Sequence, residues 1–442
     1  MPEPITESGH SILAGVYDLN GCLRGKRLPA AMAEKLASGA FRMPMSSIGV
    51  DIWGTDVDGN SLVMENGDKD GVCLPTGRGP LHIIGSANHC PLIPMWMTLE
   101  DGSPYLADPR HALALVLQRF ADIGLTPVVA TELEFHLVDP NCVRATPIAD
   151  LRSGKPRRAD AIYSLAEISR VSPFLDAVYA MAQACGVPVE TAISEGGSGQ
   201  FEFNLSHVGD ALRAADDAVI LKQIIKTCAT EQGFSASFMA KPYHDEAGNG
   251  FHVHFSMLNA AGENVFNDST EDGSDLLKHA VGGLITAMPA TTLVFAPHLN
   301  SYRRLCLGSL APTVAAWGYE NRTAAIRIPG GAHAARRIEH RVSGADANPY
   351  LVLAAILGAA FVGMSEKICP PAPQIGNAHE GNATQLPLDW RGATDAFEGS
   401  AMTTRIFDPS LIAMFAACKR QEQDVFKSLV SDVEYQAYLD AV

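Results

Sequence analysis

The chain has 442 residues, of which 47% are hydrophobic and 19% charged, so it can form a sizeable core and is not disordered in bulk. Its formal net charge is −16, from 33 Lys and Arg against 49 Asp and Glu, which argues against nucleic acid as a partner. The length allows two or three domains, or one large domain with a small satellite.

Residues 1–105 are predicted to form a small, mostly β domain. Residues 12–28 are typical of a β-hairpin whose turn is Asn20-Gly21, because this dipeptide lies between two apolar runs. A short helix is expected at 29–38. Beyond it, short strand-like pieces are broken by Gly and Pro.

From residue 106 onward, helical and strand patterns alternate, and no internal repeat is detectable. A helix is predicted to begin at Asp108-Pro109, where Asp is the N-cap and Pro the first helical residue, and to end at Gly124. Two or three helices are expected at the C-terminus. The other predicted helices lie near 173–185, 210–231, 274–289 and 349–364.

Two features bear on the cellular compartment. Nine scattered Cys residues form no CxxC pair and are odd in number, which indicates reduced thiols in a cytoplasmic protein. No basic region precedes an apolar run at the N-terminus, so we expect no signal peptide. The longest uncharged stretch, 347–364, is at the short limit for a membrane span. We interpret it as a buried helix opened by Asp346 and Pro349, and expect no membrane partner.

Several predicted strands carry ionisable residues on one face and apolar residues on the other. Alternation within 128–138 puts Glu132 and Glu134 opposite Leu133 and Phe135. The same pattern recurs in four other segments and presents these residues: Glu202; His252, His254 and Ser256; Arg327; Arg337, Glu339 and Arg341. If these strands belong to one curved sheet, their polar faces line one cavity.

Such a cavity predicts a metal site with anion clamps. Four or more carboxylates in one cavity cannot all ionise without cations. Carboxylates with a single imidazole suit Mg²⁺ or Mn²⁺. Planar guanidinium groups suit carboxylates and phosphates. Metals beside arginines are typical of enzymes that transfer phosphoryl groups, so the cavity predicts that kind of chemistry.

Each motif also has a structural explanation. Glu132 and Glu134 alone would fit an exposed strand face, and His252 with His254 would fit a hydrogen-bonded pair in the core. The Gly-rich turn before Glu202 is a weak phosphate signal by itself, and the arginines could form structural ion pairs. The joint occurrence of these motifs, each opposite an apolar face, favours the metal and phosphate interpretation.

The chain resembles the glutamine synthetase family almost from end to end. The motifs that carry the resemblance are TELEFHLVD, SEGGSGQFEFN, GNGFHVHFS, NSYRRL, ENRTAAIRIP and ARRIEHR. The resemblance implies an α+β chain with a small N-terminal β-grasp domain (1–105) and a large catalytic domain (106–442), whose curved antiparallel sheet is flanked by helices. It also implies a homo-oligomer, typically a dodecamer of two hexameric rings with active sites between subunits.

The resemblance also assigns roles to residues. One metal would be held by Glu134, Glu195 and Glu202, and a second by Glu132, His252 and Glu339. The expected glutamate contacts are Arg304, Arg341 and the backbone of Gly248. The expected ATP contacts are Glu190, His254, Ser256, Arg322, Arg327 and Arg337. Arg304, Arg322 and Arg327 would also act in catalysis, because they neutralise the charge of the reacting groups.

The implied reaction activates a carboxylate. ATP phosphorylates the γ-carboxylate of L-glutamate to an acyl phosphate, and an amine then displaces phosphate. Two metals and the arginines would offset the repulsion between the carboxylate and the γ-phosphate.

Two departures from the family pattern concern the nucleophile. Leu310 replaces a Glu that follows the NSYKRL motif, and Pro44 replaces an Asp. Those acids are thought to bind and deprotonate ammonium, so their loss predicts a more apolar substrate site that is open to an alkyl chain. Ala247 replaces an Asn beside Gly248, which affects one expected glutamate contact. The loop at 382–388 lacks the Tyr that is adenylylated in some bacterial enzymes.

The chain is therefore most similar to the γ-glutamylamine synthetases, and we predict a γ-glutamylputrescine or γ-glutamylpolyamine synthetase of amine catabolism. Asp51, Asp56 and Glu320 are candidate acceptors for the distal ammonium of a diamine. The alternatives are a γ-glutamylmethylamide or other monoamine synthetase, and a glutamine synthetase whose ammonium site uses Asp51 or Asp56. A non-catalytic structural or sensory relative and a guanidino kinase are further alternatives.

Overall fold

The computed structural model describes residues 11–58, 63, 67–83, 90–149, 162–306 and 309–442. Its strands are β1 (Ser11–Tyr17), β2 (Leu23–Pro29), β3 (Phe41–Pro44), β4 (Asp70–Pro75), β5 (Leu92–Thr98), β6 (Thr126–Val138), β7 (Val189–Ser194), β8 (Gln200–Leu205), β9 (Ser235–Ser237), β10 (Phe251–Leu258), β11 (Val314–Ala315), β12 (Trp317–Tyr319), β13 (Ile326–Ile328), β14 (Ile338–His340) and β15 (Thr384–Gln385).

The helices alternate with these strands. They are α1 (Ala33–Leu36), α2 (Pro109–Asp122), α3 (Leu165–Arg170), α4 (Ser172–Ala184), α5 (Ala211–Glu231), α6 (Asp275–Phe295), α7 (Ser301–Arg304), α8 (Pro349–Glu366), α9 (Trp390–Gly399), α10 (Thr403–Ile406), α11 (Pro409–Ser428) and α12 (Asp432–Tyr438).

The N-terminal segment forms a five-stranded sheet in the order β2-β1-β5-β4-β3. β1 and β2 are an antiparallel hairpin, and Gly21 in its turn has φ +73°, a left-handed conformation that glycine adopts without strain. The sheet is mixed, because β1 and β5 are parallel. The predicted hairpin and the predicted N-terminal β domain are therefore confirmed.

The larger sheet has eight strands, and its main path runs β12-β13-β14-β10-β6-β8-β7. β6 is central, and its register puts Glu132 opposite His252 and Glu134 opposite Glu202. The strands with ionisable faces therefore do belong to one sheet, as the alternation predicted. One detail differs from the fully antiparallel expectation, because the edge strand β12 runs parallel to β13.

The apolar face of this sheet is covered by helices. Phe135 and Phe203 are fully buried there, and their rings stack with centroids 5.9 Å apart. Behind them, α8 is long and apolar enough to cross a membrane by length and composition, but 83% of that stretch is buried inside the protein. It is therefore a core helix.

Three expectations about helices need correction. α8 is capped by Asn348, whose side chain accepts from the Tyr350 N–H, whereas Asp346 accepts from the hydroxyl of Ser301 instead. α6 continues past the predicted end at 289 to Phe295, because its last turns are apolar and buried. The C-terminal part contains four helices rather than two or three, since α10 and α12 are too short for a clear periodic pattern.

A buried ion pair links three helices beneath the sheets. Asp216 of α5 accepts hydrogen bonds from Arg110 of α2 at 2.9 and 3.0 Å and from the Tyr350 hydroxyl of α8 at 2.7 Å. The Arg110 guanidinium also lies 4.5 Å from the ring centroid of Trp96 in β5. This cluster connects the N-terminal sheet to the helical layer.

We expect Asp216→Ala to destabilise the protein by about 3–5 kcal/mol, because it leaves the buried Arg110 without its carboxylate. Chemical denaturation followed by circular dichroism measures the change. The matched control is Asp176→Ala on the exposed face of α4, which should stay within about 0.5 kcal/mol of the parent. Equal effects of the two substitutions would contradict the role assigned to the cluster.

Candidate active site

The centre of the site is Glu132 on β6, which lies between two histidines of β10. Its Oε2 atom is 3.0 Å from His252 Nδ1 and its Oε1 atom is 2.9 Å from His254 Nε2. Burial by itself raises the pKa of Glu132, but hydrogen bonds from the two imidazoles lower it well below the usual value. Glu132 is therefore ionised.

The neighbouring carboxylates behave differently because no described cation pairs with them. Burial, reinforced by the charges of Glu134 and Glu132, raises the pKa of Glu195 to about 7. Burial and the same two charges raise the pKa of Glu202 to about 10. In the metal-free protein, protons on Glu195 and Glu202 therefore reduce the negative charge that a bound cation would otherwise neutralise.

The other side of the site is basic. Glu339 of β14 pairs with Arg327 of β13 at 2.7 Å and with Arg341, and Arg337 Nε lies 3.4 Å from His254 Nδ1. Burial opposes ionisation of Glu339, but His254 and Arg341 lower its pKa below the usual value. Arg327 and Arg341 each keep a buried Nε atom without a hydrogen-bond partner in the described chain. These atoms are available to an anion.

A third group of residues meets at Gly250. A Cβ atom built there would lie 2.9 Å from Glu134 Oε1, 2.9 Å from His252 Nε2 and 3.0 Å from Arg304 Nη2. A larger residue at this position would therefore have to displace the ends of these three side chains. Arg304 also passes beside Gly248, since a Cβ at that glycine would lie 3.0 Å from Arg304 Cγ. The structure thus brings two of the three predicted glutamate contacts, Arg304 and Gly248, next to a predicted metal ligand.

The donor set fits a divalent cation. Among the described residues, two groups have ligand atoms within 4.8 Å of one another: Glu132, His254 and Glu339; and Glu132, Glu202 and His252. Carboxylate oxygens with one imidazole are ligands for hard or borderline ions. These groups share members with the two predicted metal sets but place His254 beside Glu339. The assignment of individual ligands remains a prediction.

The remaining predicted residues lie around this centre. Arg322 is exposed and close enough to lower the pKa of Glu195. Ser256 lies on β10 beyond His254, and Glu190 lies exposed on β7. Leu310 is 65% exposed. In the described chain no hydrogen bond joins Ser256, Glu190 or Leu310 to the central cluster, so their roles remain predictions.

The sequence analysis missed the support behind these side chains. Gln200, Asn249 and His136 are all buried and hydrogen-bonded to one another or to Glu134. The alternation does predict His136 on the strand face of Glu132 and Glu134, but not its hydrogen bond to Asn249. For Gln200 and Asn249 the only signal was their position inside two family motifs.

Metal binding should release protons, because a carboxylate ligand must lose its proton to bind a cation. The raised pKa values of Glu195 (about 7) and Glu202 (about 10) mean that the metal-free site carries protons at neutral pH. Affinity for Mn²⁺ should therefore rise with pH between about 6 and 9, by about tenfold per pH unit for each proton displaced. Calorimetric titrations in buffers of different ionisation enthalpy count these protons.

Glu202→Gln should reduce the number of protons released and weaken Mn²⁺ binding at least tenfold. The same variant should stabilise the metal-free protein at alkaline pH. When folding raises the pKa of a carboxyl, the protein becomes less stable as the pH rises from the pKa of that group in the unfolded chain towards its pKa in the folded chain. Glu231→Gln, at the exposed end of α5, is the matched control. Proton release unchanged by Glu202→Gln would contradict the assignment.

Comparison with known proteins agrees with this geometry. Residues 106–438 match the family model described as "Glutamine synthetase, catalytic domain". The chain is 36% identical to the γ-glutamylputrescine synthetase of Escherichia coli (strain K12) over 436 residues, which cover 95% of this chain and 89% of that protein. It is 35% identical to the γ-glutamylethanolamide synthetase of Streptomyces coelicolor (strain ATCC BAA-471 / A3(2) / M145), covering 76% and 72% of the two chains.

A solved structure extends the similarity to the whole fold. The GmaS/ADP complex superposes with a TM-score of 0.85 and 28% identity and covers 100% of both chains. Enzymes of the matched family use ATP and divalent metal ions, in keeping with the clustered carboxylates and arginines described above. The fold, the motifs and the matched residues agree, and the chain belongs to the glutamine synthetase family.

Proposed function

We propose that this enzyme uses ATP to join the γ-carboxylate of L-glutamate to putrescine or another polyamine. The observation that carries the proposal is a contrast between two parts of the site. Every ionisable group expected for metal and phosphate chemistry is present, whereas Pro44 and Leu310 replace both acids expected for ammonium. The similar γ-glutamylputrescine synthetase supports this choice of nucleophile.

The proposed roles follow the charges of the site. The metal ligands are Glu132, Glu134, Glu195, Glu202, His252 and Glu339. His254 also has a ligand atom close to Glu132 and Glu339. Bound Mg²⁺ or Mn²⁺ would supply Lewis-acid polarisation and charge neutralisation for phosphoryl transfer. Glutamate is held by Arg304, Arg341 and Gly248. ATP is held by Glu190, His254, Ser256, Arg322, Arg327 and Arg337.

The reaction has two steps. A γ-carboxylate oxygen of glutamate attacks the γ-phosphorus of ATP, and the bond to the bridging oxygen breaks to release ADP. The amine nitrogen then attacks the acyl carbon, inorganic phosphate leaves, and the nitrogen loses a proton as the amide forms. Arg304, Arg322 and Arg327 oppose the charge that builds on the phosphoryl and acyl oxygens.

Contacts of the three candidate acceptors favour one of them for the distal ammonium. The Asp51 carboxylate already accepts from two backbone N–H groups and from Gln421, and the Glu320 carboxylate is engaged by Arg327 and a backbone N–H. Asp56 is exposed, and in the described chain its carboxylate makes no hydrogen bond. Asp56 and Asp51 both line a cavity of about 990 Å³ beside Trp53, and none of the proposed metal, glutamate or ATP ligands lines it. We therefore assign the distal ammonium to Asp56.

A monoamine is the second candidate nucleophile. The similarity to the γ-glutamylethanolamide synthetase favours it, since that name describes a product with no second amino group. The exposed and apolar Leu310 is compatible with either amine.

The assay measures phosphate release from ATP with glutamate and Mg²⁺ and compares kcat/KM for ammonium, methylamine, isopropylamine, putrescine and spermidine. We expect a higher kcat/KM for putrescine than for ammonium. Leu310→Glu should raise kcat/KM for ammonium relative to putrescine by about tenfold, equivalent to about 1.4 kcal/mol. The restored carboxylate attracts the small cation. A higher kcat/KM for ammonium in the parent enzyme would overturn the proposal.

Two variants separate the diamine from the monoamine. Asp56→Asn should lower kcat/KM for putrescine about tenfold and leave that for methylamine unchanged, because a charged hydrogen bond contributes about 1.5–3 kcal/mol. Asp176→Asn, at an exposed carboxylate on α4, is the control. Equal losses with both amines would assign Asp56 to folding or assembly, and no loss would favour the monoamine.

We further propose that the enzyme works as a dodecamer of two hexameric rings in the cytoplasm, and that the domain boundary lies between residues 105 and 106. The matched family model begins at residue 106, and all nine cysteines are free. The C-terminal end exposes apolar side chains that a monomer would leave in water, including Leu429, Val433 and Leu439 at 59–70% exposure.

Mass photometry should give a particle of twelve 47.0 kDa chains. Replacing Val433 and Leu439 together by Ser should dissociate it, because removal of buried apolar surface weakens subunit association. Replacing the exposed Val143 by Ser is the control. A monomer at micromolar concentration would refute the ring.

A further inference from the structure

We propose that Gln200 is a positioning residue that couples the metal-binding carboxylates to the loop that binds glutamate. The inference deepens the proposed function and rests on its assignment of Glu134 to metal and Gly248 to glutamate. Gln200 itself is placed behind these groups, and only 2% of its surface is exposed. It would therefore act through its neighbours.

The Gln200 amide contacts three segments of the chain. Its Nε2 atom lies 3.2 Å from Glu134 Oε2, 3.0 Å from the Gly248 carbonyl oxygen and 3.2 Å from Asn249 Oδ1. Its Oε1 atom accepts from the Gly197 N–H at 2.8 Å. One side chain therefore contacts a predicted metal ligand, the glutamate-binding loop and the Gly-rich turn that follows Glu195.

The three acceptors around Nε2 compete for its two hydrogens. A primary amide has two N–H groups, but three acceptors surround this nitrogen. Glu134 Oε2 also accepts from the Gly250 N–H at 2.8 Å. If Glu134 directed its charge towards a bound cation, Gln200 would be free to donate its two hydrogens to Gly248 and Asn249. Ordering of the metal ligand and ordering of the loop are then linked.

The loop that carries Gly248 is held in a way that transmits this change. The Asn249 amide donates to the carbonyl oxygens of Ser237 and Met239, while its Oδ1 atom lies 2.8 Å from His136 Nδ1. This leaves Asn249 fully buried and fixed on β9 and β6. The Gly248 carbonyl, one residue earlier, has Gln200 as its side-chain partner.

A second connection joins the same two segments. The Glu246 carboxylate accepts from the Ser198 N–H at 2.6 Å and from the Ser198 hydroxyl at 2.8 Å. The Gly-rich turn and the glutamate-binding loop are thus held together at two points. The Gly250 N–H also joins the loop to Glu134, but among the described side chains Gln200 is the one hydrogen-bonded to the turn, to the loop and to Glu134.

The test measures binding, so that it does not depend on turnover. Binding of L-glutamate to the full-length oligomer is titrated calorimetrically with and without saturating Mn²⁺. In the parent protein Mn²⁺ should strengthen glutamate binding about tenfold, within the usual range of coupling between sites. Gln200→Met keeps the side-chain length but removes the amide. In this variant the factor should fall to about one, so that Mn²⁺ no longer strengthens glutamate binding. In steady-state assays KM for glutamate should rise while KM for ATP stays unchanged.

Gln118→Met, on the exposed face of α2, is the matched control and should keep the parent coupling factor. If Gln200→Met does not fold, Gln200→Glu is used, because it preserves the volume and the acceptor for Gly197. A folded variant of either kind with undiminished coupling would overturn the proposal. So would a parent protein in which Mn²⁺ leaves glutamate binding unchanged. If coupling depends on Gln200 but no amine supports turnover, the inference stands and the proposed reaction fails.

Discussion

The site depends on one electrostatic constraint, the presence of five carboxylates on or beside a single sheet face that is largely shielded from water. Charges of like sign at such separations repel strongly when the surroundings have a low dielectric constant. The order of the strands reduces this repulsion, because it places cationic side chains next to some of the carboxylates. Arginines lie on or beside β13 and β14, histidines lie on β10, and the carboxylates of β6 and β8 come next. The sheet therefore changes from positive to negative across its width.

This gradient explains why the carboxylates have different protonation states. Glu132 and Glu339 are hydrogen-bonded to histidine or arginine and have lowered pKa values, whereas Glu195 and Glu202, on the other side, form no ion pair with a described cation and have raised pKa values. A metal cation can replace the protons on that side. On the first side, the Nε atoms of Arg327 and Arg341 have no partner in the described chain and can donate hydrogen bonds to a phosphate or a carboxylate. Cation and anion sites thus adjoin on one sheet.

Much of this arrangement follows from local sequence. Alternation with a period of two fixes which side chains of β6, β8 and β10 share a face, and Asp108-Pro109 fixes the start of α2. Other features depend on contacts distant in sequence. The alternation cannot tell whether His252 or His254 approaches Glu339, because both point to the same face. Likewise, Asp51 and Asp56 look equivalent until Gln421 is found to occupy one of them. The hydrogen bonds of Gln200 to Glu134 and Gly248 also join residues distant in sequence, so the local pattern does not predict them.

The position of Pro44 carries a wider consequence. Pro44 ends β3 at the edge of the five-stranded sheet, and Leu310 lies exposed in a connection after α7, so both are outside the eight-stranded sheet that holds the ionisable cluster. In the proposed roles, the positions that select the amine therefore lie outside the sheet that activates the acid. Natural selection can therefore diversify the product by substitutions at a few peripheral positions while the costly arrangement of buried charges is inherited intact.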